Sequence, residues 1–290
     1  MSDAIQRAQE KLAVSQQQLA STKKASDFAS LGTETVRNLS AHSLLARQDA
    51  QSTVAKRVGT TLSLYQGQIE GVQDSIESLK QQITEAVGTG QSAGLQEAID
   101  AAFSQFRSAL NSSEGGTPLF AGSQTGSVPF TPSTLADAAT VTADDAFKDD
   151  DVKSSARVAD GVDVTYGISA SSLGKNLYEA FRTLAQAGSI GDQPTDAQMT
   201  ALKNVVGQID TGLGDVRSVN AENGRKQNQV DTLVKRGDER SLLLNGIIET
   251  NEDADLGQVA VDISTQKTVL QASYSVFSQL SSLSLVNFMK

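Results

Sequence analysis

Three groups of residues have the types and spacing that chemistry requires. Gly88-Thr89-Gly90-Gln91-Ser92-Ala93 fits G-x-G-x-x-A, a turn that cradles a pyrophosphate when a strand precedes it and a helix follows. Ser21-Thr22-Lys23-Lys24 and Ser264-Thr265-Gln266-Lys267 fit S-x-x-K, the core of serine acylases when S-D-N and K-T-G segments complete it. Asp144, Asp145, Asp149, Asp150 and Asp151 offer the hard oxygen ligands that calcium takes. Each group lacks its complement. A long helical pattern precedes the glycine motif, which predicts a helix–helix turn rather than a cofactor loop. Neither acylase partner segment occurs in the chain. The acidic run has no glycine at the EF-hand turn position, so a solvated loop is the expectation.

The remaining inventory narrows the chemistry further. There is no cysteine, which excludes disulfides, thiolate zinc sites and a cysteine nucleophile. The single histidine, His42, has no second histidine to share a metal with and reads as an ordinary surface or interface residue. No enzymatic constellation, cofactor site or metal site is expected. The net charge of −10 argues against nucleic acid as the main partner. No stretch of about 18 apolar residues occurs, so no transmembrane helix is expected. The N-terminal segment has no apolar h-region, so no conventional secretory signal is expected either. Asn38-Leu39-Ser40 and Asn111-Ser112-Ser113 match the N-glycosylation sequon, which carries little weight by itself.

The elements that position these residues are mostly helical. With four prolines in 290 residues, long uninterrupted helices are permitted. Val54, Val58, Leu62, Tyr65, Ile69, Val72, Ile76, Leu79, Ile83 and Val87 recur at spacings of three and four, the seam of a coiled coil. The pattern predicts a helix from about Glu34 to Val87, roughly 80 Å long at the standard rise, with Thr33 as N-cap. The segment 88–94 ends it, and Leu95, Ile99, Ala102, Phe106 and Leu110, with Phe103 beside them, form the return helix of a hairpin.

Residues 113–171 hold three of the four prolines and a run rich in Gly, Ser, Thr and Asp. Asp160-Gly161 followed by alternating Val162, Val164, Tyr166 and Ile168 predicts a β-hairpin. Helical spacing returns at Leu173, Leu177, Phe181 and Leu184. It continues through Met199, Leu202, Val206, Ile209, Leu213 and Val216. Asn220, Asn223 and Gln227 interrupt the seam with polar groups that fix register; Val230, Val234, Leu244 and Ile248 resume it. The fold class expected is mainly α: a long antiparallel coiled-coil rod built from the N- and C-terminal halves, with a small β-rich insertion.

The two ends lack enough apolar surface to fold alone. Ile5, Leu12 and Leu19 recur every seven residues, and Ile263, Leu270 and Phe277 form the stripe expected to face them. Between Ala254 and Lys290 only Asp255, Asp262, Lys267 and Lys290 carry charge. A helix so poor in charge is expected to find cover from neighbouring subunits.

At this point the chain resembles the bacterial flagellin superfamily over nearly its whole length. Gln16-Gln17-Gln18-Leu19-Ala20-Ser21, followed by Thr22-Lys23-Lys24-Ala25-Ser26-Asp27, resembles the family's N-terminal helix end. Leu270-Gln271-Ala272-Ser273-Tyr274 and Ser284-Leu285-Val286-Asn287-Phe288 resemble its C-terminal helix and closing segment. Pro118-Leu119-Phe120-Ala121-Gly122-Ser123-Gln124-Thr125 with Val128-Pro129-Phe130 is most like the hook–filament junction members, the third type of hook-associated protein. One departure is that Met1-Ser2-Asp3 enters the helix at once, where the family usually carries a few more residues.

The resemblance implies three parts: a terminal coiled-coil assembly domain (1–32 and 253–290), a helical rod (33–112 and 172–252) and a small β-rich outer domain (113–171). It implies a structural, non-enzymatic subunit that joins hook to filament after export through the flagellar type III apparatus, located outside the cell. The alternatives are flagellin itself and, more remotely, a signalling coiled coil. Implied partners are further copies of the chain in a ring or tube, hook-side and filament-side subunits and an export chaperone at the C-terminal stripe, with no nucleic acid and no membrane insertion. The residues expected at the assembly interface are Ile5, Leu12, Leu19, Ile263, Leu270, Phe277, Leu280, Leu283, Leu285 and Phe288.

Overall fold

The structure, a computed structural model, describes the backbone of residues 2–288 and the side chains of 3–279. It is mainly α, with a small β insertion. Helix α1 spans Ser2–Ser21, α2 Thr35–Thr89, α3 Leu95–Leu110, α6 Ala170–Gln186, α7 Asp196–Glu252 and α8 Leu256–Phe288. Two one-turn helices, α4 (Leu135–Ala138) and α5 (Ala143–Ala146), lie in the insertion. So do the paired strands β1 (Ser113–Glu114) with β2 (Thr117–Pro118), and β3 (Ser154–Ala159) with β4 (Val162–Tyr166). Among the described residues no helix is long and apolar enough to cross a membrane. The chain packs into two compact units: a central one, Ala50–Gly237, and a terminal one, Met1–Asp49 with Asp238–Lys290.

The central unit holds the hydrophobic core. Its seam on α2 is Ala55, Val58, Leu62, Tyr65, Ile69, Val72, Ile76, Leu79, Ile83 and Ala86, all buried. The spacing alternates three and four without a break, so one face of the helix stays against its partner throughout. At the two ends the seam is carried by alanine rather than by the expected Val54 and Val87: Val54 is exposed, and Val87 packs only against the edge of the core. The partner is α7, where Leu202, Val205, Ile209, Leu213, Val216 and Val230 are buried. Val205 takes the place expected of Val206, which is only partly covered. The pairs Lys80–Asp210 (2.5 Å), Glu77–Arg217 (2.9 Å) and Leu62–Gln227 (3.0 Å) pair rising positions on α2 with falling ones on α7, so the helices run antiparallel.

Across this pair lie α3 and α6, joined to the insertion by an aromatic cluster. Phe106 and Phe130 meet edge to face at 5.4 Å between centroids, Phe103 and Phe181 at 5.3 Å, and Phe130 and Tyr178 at 5.3 Å. Such pairs add to the area they bury. Two glycines permit the close approach. A Cβ on Gly174 would stand 2.7 Å from Phe106, and one on Gly212 would stand 2.5 Å from Leu177. The expected hairpin forms as β3–β4 about Asp160-Gly161, with Gly161 at φ +70° and Val158 and Val164 turned into the core.

The polar layer behaves as a register device. Asn223 is buried, and its Nδ2 donates to the Leu62 carbonyl (2.9 Å) and to Gln66 Oε1 (3.2 Å). Gln227 Nε2 donates to the same carbonyl at 3.0 Å. A one-residue slip would leave these amides without partners inside the seam, a cost of about 1–3 kcal/mol for each unsatisfied group.

Candidate assembly surface

In the terminal unit the same helical repeat has a different filling. Helices α1 and α8 pack antiparallel, with Gln9 Nε2 donating to the Tyr274 hydroxyl at 2.8 Å and Lys23 bridging to Asp253 at the opposite end. The seam residues that α1 buries are Ala8 and Ser15, flanked by half-buried Ile5 and Leu12. On α8 they are Val259 and Leu270, flanked by half-buried Ile263, Gln266 and Ser273. The neighbouring ends of α2 and α7 continue the pattern, with Asn38, Ala41 and Gln48 buried on α2 and Leu244 and Ile248 on α7. On α1 and α2 small and polar side chains close this seam, against larger apolar residues on α7 and α8, so it removes less apolar area from water than the central seam.

The expected interface residues therefore fall into three groups. Ile5, Leu12, Ile263 and Leu270 line the α1/α8 contact within the chain. Leu19 and Phe277 point outward, 47 % and 56 % exposed. The side chains of Leu280, Leu283, Leu285 and Phe288 lie outside the described residues. Exposed apolar residues that the repeat did not single out accompany them: Val36 and Leu39 on α2, Leu242 and Leu243 on α7, and Val261 and Val269 on α8. Ser241-Leu242-Leu243-Leu244-Asn245-Gly246-Ile247-Ile248 carried the signal, because a helix with apolar residues at consecutive positions cannot bury them all against one partner. In the central unit the exposed large apolar residues are Val54, Leu64, Val128 and Val152 alone among the described residues; every other one belongs to the terminal unit. Exposed large apolar side chains are therefore concentrated in the terminal unit.

Two chain breaks meet beside this surface. The link from α1 to α2, residues 22–34, contains a short 3-10 segment, Ala29–Glu34, with Gly32 at φ 62°. Thr33 lies inside that segment, so it does not cap α2 as expected; the chain is already helical when it enters Thr35. The link from α7 to α8 runs through Asp253 to Asp255. Lys24 N donates to the Glu252 carbonyl (2.6 Å) and Ala254 N to the Thr22 carbonyl (2.9 Å), stitching the links together. Glu252 sits at the centre, its side chain 15 % exposed. Its Oε1 accepts from Asn38 Nδ2 and contacts His42 Nε2, both at 2.6 Å, while Oε2 faces Lys23 Nζ at 3.3 Å. Burial alone would raise this carboxyl, but the bonds from His42, Asn38 and Lys23 outweigh it and pull the pKa down to about 2. His42, expected to be an ordinary surface or interface residue, is thus part of the clasp, its ring edge-on to Phe28 at 5.6 Å.

The motifs with chemical potential are absorbed by structure. The glycine motif forms the α2–α3 turn, with Gly90 and Gly94 at positive φ; Ser92 Oγ donates to the Gly191 carbonyl at 2.5 Å. In the first S-x-x-K segment, Ser21 Oγ accepts from Lys23 N and Lys24 Nζ donates to the Thr250 carbonyl. The acidic run is not simply solvated, because its carboxylates fasten the insertion to different partners. Asp144 pairs with Lys175 (2.7 Å), Asp145 takes the Thr142 hydroxyl (2.7 Å), Asp149 the Ser171 hydroxyl (2.6 Å) and Asp151 the Ser169 hydroxyl (2.9 Å). Asp150 accepts from the hydroxyl and N–H of Ser123 and from Gln124, which hold its carboxyl at about 2. Among the described residues no acidic or histidine cluster could hold a metal ion. Both sequon asparagines are occupied as well: Asn38 is fully buried on Glu252, and Asn111 brackets the backbone of Phe130.

No protein-family model matches the sequence, and no curated protein matches it. Solved structures do. A Vibrio parahaemolyticus chain assigned as a flagellar hook-associated protein superposes with a TM-score of 0.63 at 16 % identity, covering 76 % of this chain and 97 % of the other. Bacillus cereus FlgL superposes with a TM-score of 0.61 at 16 % identity, covering 72 % and 98 %. At that identity the likeness is one of fold: the chain is built like these flagellar proteins, from the same mainly helical frame.

Proposed function

We propose that the protein is a structural subunit of the bacterial flagellum, placed where hook meets filament. The observation that carries this reading is the segregation of exposed apolar side chains onto the terminal unit, in a fold otherwise found in hook-associated proteins. The work is mechanical rather than catalytic. Copies of the chain associate through the outer faces of α1, α2, α7 and α8, with hook-side and filament-side subunits above and below. Delivery through the flagellar type III apparatus, an export chaperone on α8 and a location outside the cell belong to the same reading. Leu19 and Phe277 are the cleanest of the expected contact residues, because they face outward; Leu270 is buried against α1, so charging it would break the pair itself.

Electron microscopy of a strain lacking the gene, with its medium assayed for flagellin, tests the reading. Bare hooks with unpolymerised flagellin in the medium are expected. Hooks that still carry the junction but have altered filaments would make the protein a filament subunit instead. Normal flagella would overturn both. A full-length Leu19→Asp, Phe277→Asp variant is expected to keep its helical content and lose polymerisation.

A further inference from the structure

The paired links of the terminal unit form more than a passage between helices. Both helical strands of the unit are interrupted at the same level, α1/α2 at 22–34 and α7/α8 at 253–255. If the breaks were staggered, the intact helix opposite each one would splint it; side by side, they leave a joint. The joint is closed by two backbone hydrogen bonds and by one carboxylate, Glu252 at the end of α7, that gathers groups from two other segments: Lys23 from the first link, and Asn38 and His42 from α2. Lys23 also reaches Asp253 at 2.6 Å, and Lys24 reaches the last turn of α7 at the Thr250 carbonyl. The titratable groups facing Glu252 are therefore Lys23 and His42, with Asp253 competing for Lys23. Thr22, the one non-glycine residue at positive φ among the described residues (59°), sits in the joint. A β-branched residue in that region is strained, and strain persists only where the surroundings over-determine it.

We propose that this joint is a lockable hinge: Glu252 fixes the α1/α8 pair on the ends of α2 and α7, and release of its contacts frees the pair as a unit with both helices kept. Nothing in this depends on the flagellar reading, so either can fail alone. The test is amide hydrogen exchange on the full-length chain, comparing wild type with Glu252→Gln and Lys23→Met. A hydrogen bond to a charged group stabilises by about 1.5–3 kcal/mol, which converts to at least about tenfold in local opening. Exchange at Lys24 and Ala254 is expected to rise about tenfold in Glu252→Gln and less in Lys23→Met. Amides within α1, within α8 and in residues 50–237 keep their rates. Trypsin, which cuts after Lys23 and Lys24, is expected to cut there faster in Glu252→Gln.

Unchanged exchange at Lys24 and Ala254 in a folded Glu252→Gln chain would overturn the lock. Acceleration spread evenly through α1 and α8 would overturn the hinge, since the pair would then be unravelling. If Glu252→Gln does not fold, Lys23→Met, whose altered side chain is 42 % exposed in the parent, carries the same two readouts.

Discussion

The central and terminal units follow one helical repeat and reach opposite ends. In residues 50–237 the three-four seam is filled mostly by Val, Leu and Ile, with Ala55, Tyr65, Ala86 and the polar layer at Asn223 among them, and a cluster of six aromatic rings closes the space between helix pairs and insertion. In the terminal unit the buried positions on α1 and α2 are Ala8, Ser15, Asn38, Ala41 and Gln48; Val259 and Leu270 on α8 and Leu244 and Ile248 on α7 are its buried large apolar residues, and the other large ones are half-buried or exposed. A heptad stripe therefore says that a helix has a partner, and the size of the stripe residues says how much of its apolar surface that partner covers. The central unit spends its apolar side chains on itself. The terminal unit leaves many of its own exposed, among them Leu19, Val36, Leu39, Leu242, Leu243, Val261, Val269 and Phe277.

The sharpest break of this contrast is Phe106→Ala. The ring is fully buried and touches Phe130 and Phe181, so truncation is expected to cost about 3–5 kcal/mol, read as a lower thermal midpoint for the central unit. Overpacking comes next: Gly212→Val drives a branched side chain into Leu177 and is expected to cost about 1–3 kcal/mol in the same melt.

Acid should act in the other unit first. Glu252 titrates near 2 when folded, below the ordinary carboxylate value. Its stabilising contribution is complete above about pH 5 and is lost as pH falls through about 4.5 toward 2. Pepsin sensitivity at the two links, followed downward from pH 4, is expected to rise before the central helices lose ellipticity. In Glu252→Gln that early step is absent.

Smaller effects sharpen the comparison. Ser15→Ala makes the terminal seam more apolar without changing its spacing and is expected to shift stability by less than about 1 kcal/mol, upward. Leu242→Ser with Leu243→Ser alters only exposed positions, so the monomer should change by less than about 0.5 kcal/mol, while sedimentation shows no polymer. A large loss of monomer stability in that variant would mean the two leucines are packed within the chain.

These contrasts also mark where the sequence was legible. The long helices, the turn at 88–94, the hairpin about Asp160-Gly161 and the polar layer at Asn223 and Gln227 all followed from spacing. Spacing failed where a small residue holds the seam beside a larger one. Ala55 is buried while Val54 is exposed, Ala86 is buried more completely than Val87, and Ala8 and Ser15 are buried while Leu19 is exposed. A reading that ranks positions by apolar size selects the wrong neighbour in each case, although the period is right. The clasp was less visible still. Glu252 meets Asn38, 214 positions away, and His42, 210 positions away, and no local pattern announces a contact that tertiary packing alone creates. The aspartates at 144–151 were legible as a cluster but not as fasteners, because their partners Ser169, Ser171 and Lys175 belong to the next helix and its start.

The pairing of the first helix with the last has a kinetic consequence. Gln9 and Tyr274 lie 265 positions apart, so α1 has no partner until nearly the whole chain is available. Residues 50–237 contain all the contacts of their own core and can close first. Joining two ends across an unstructured chain of that length carries a closure entropy that grows with the logarithm of the loop. Once the middle has folded, only the short remaining arms contribute to that cost. The terminal pair is thus expected to form after the central core.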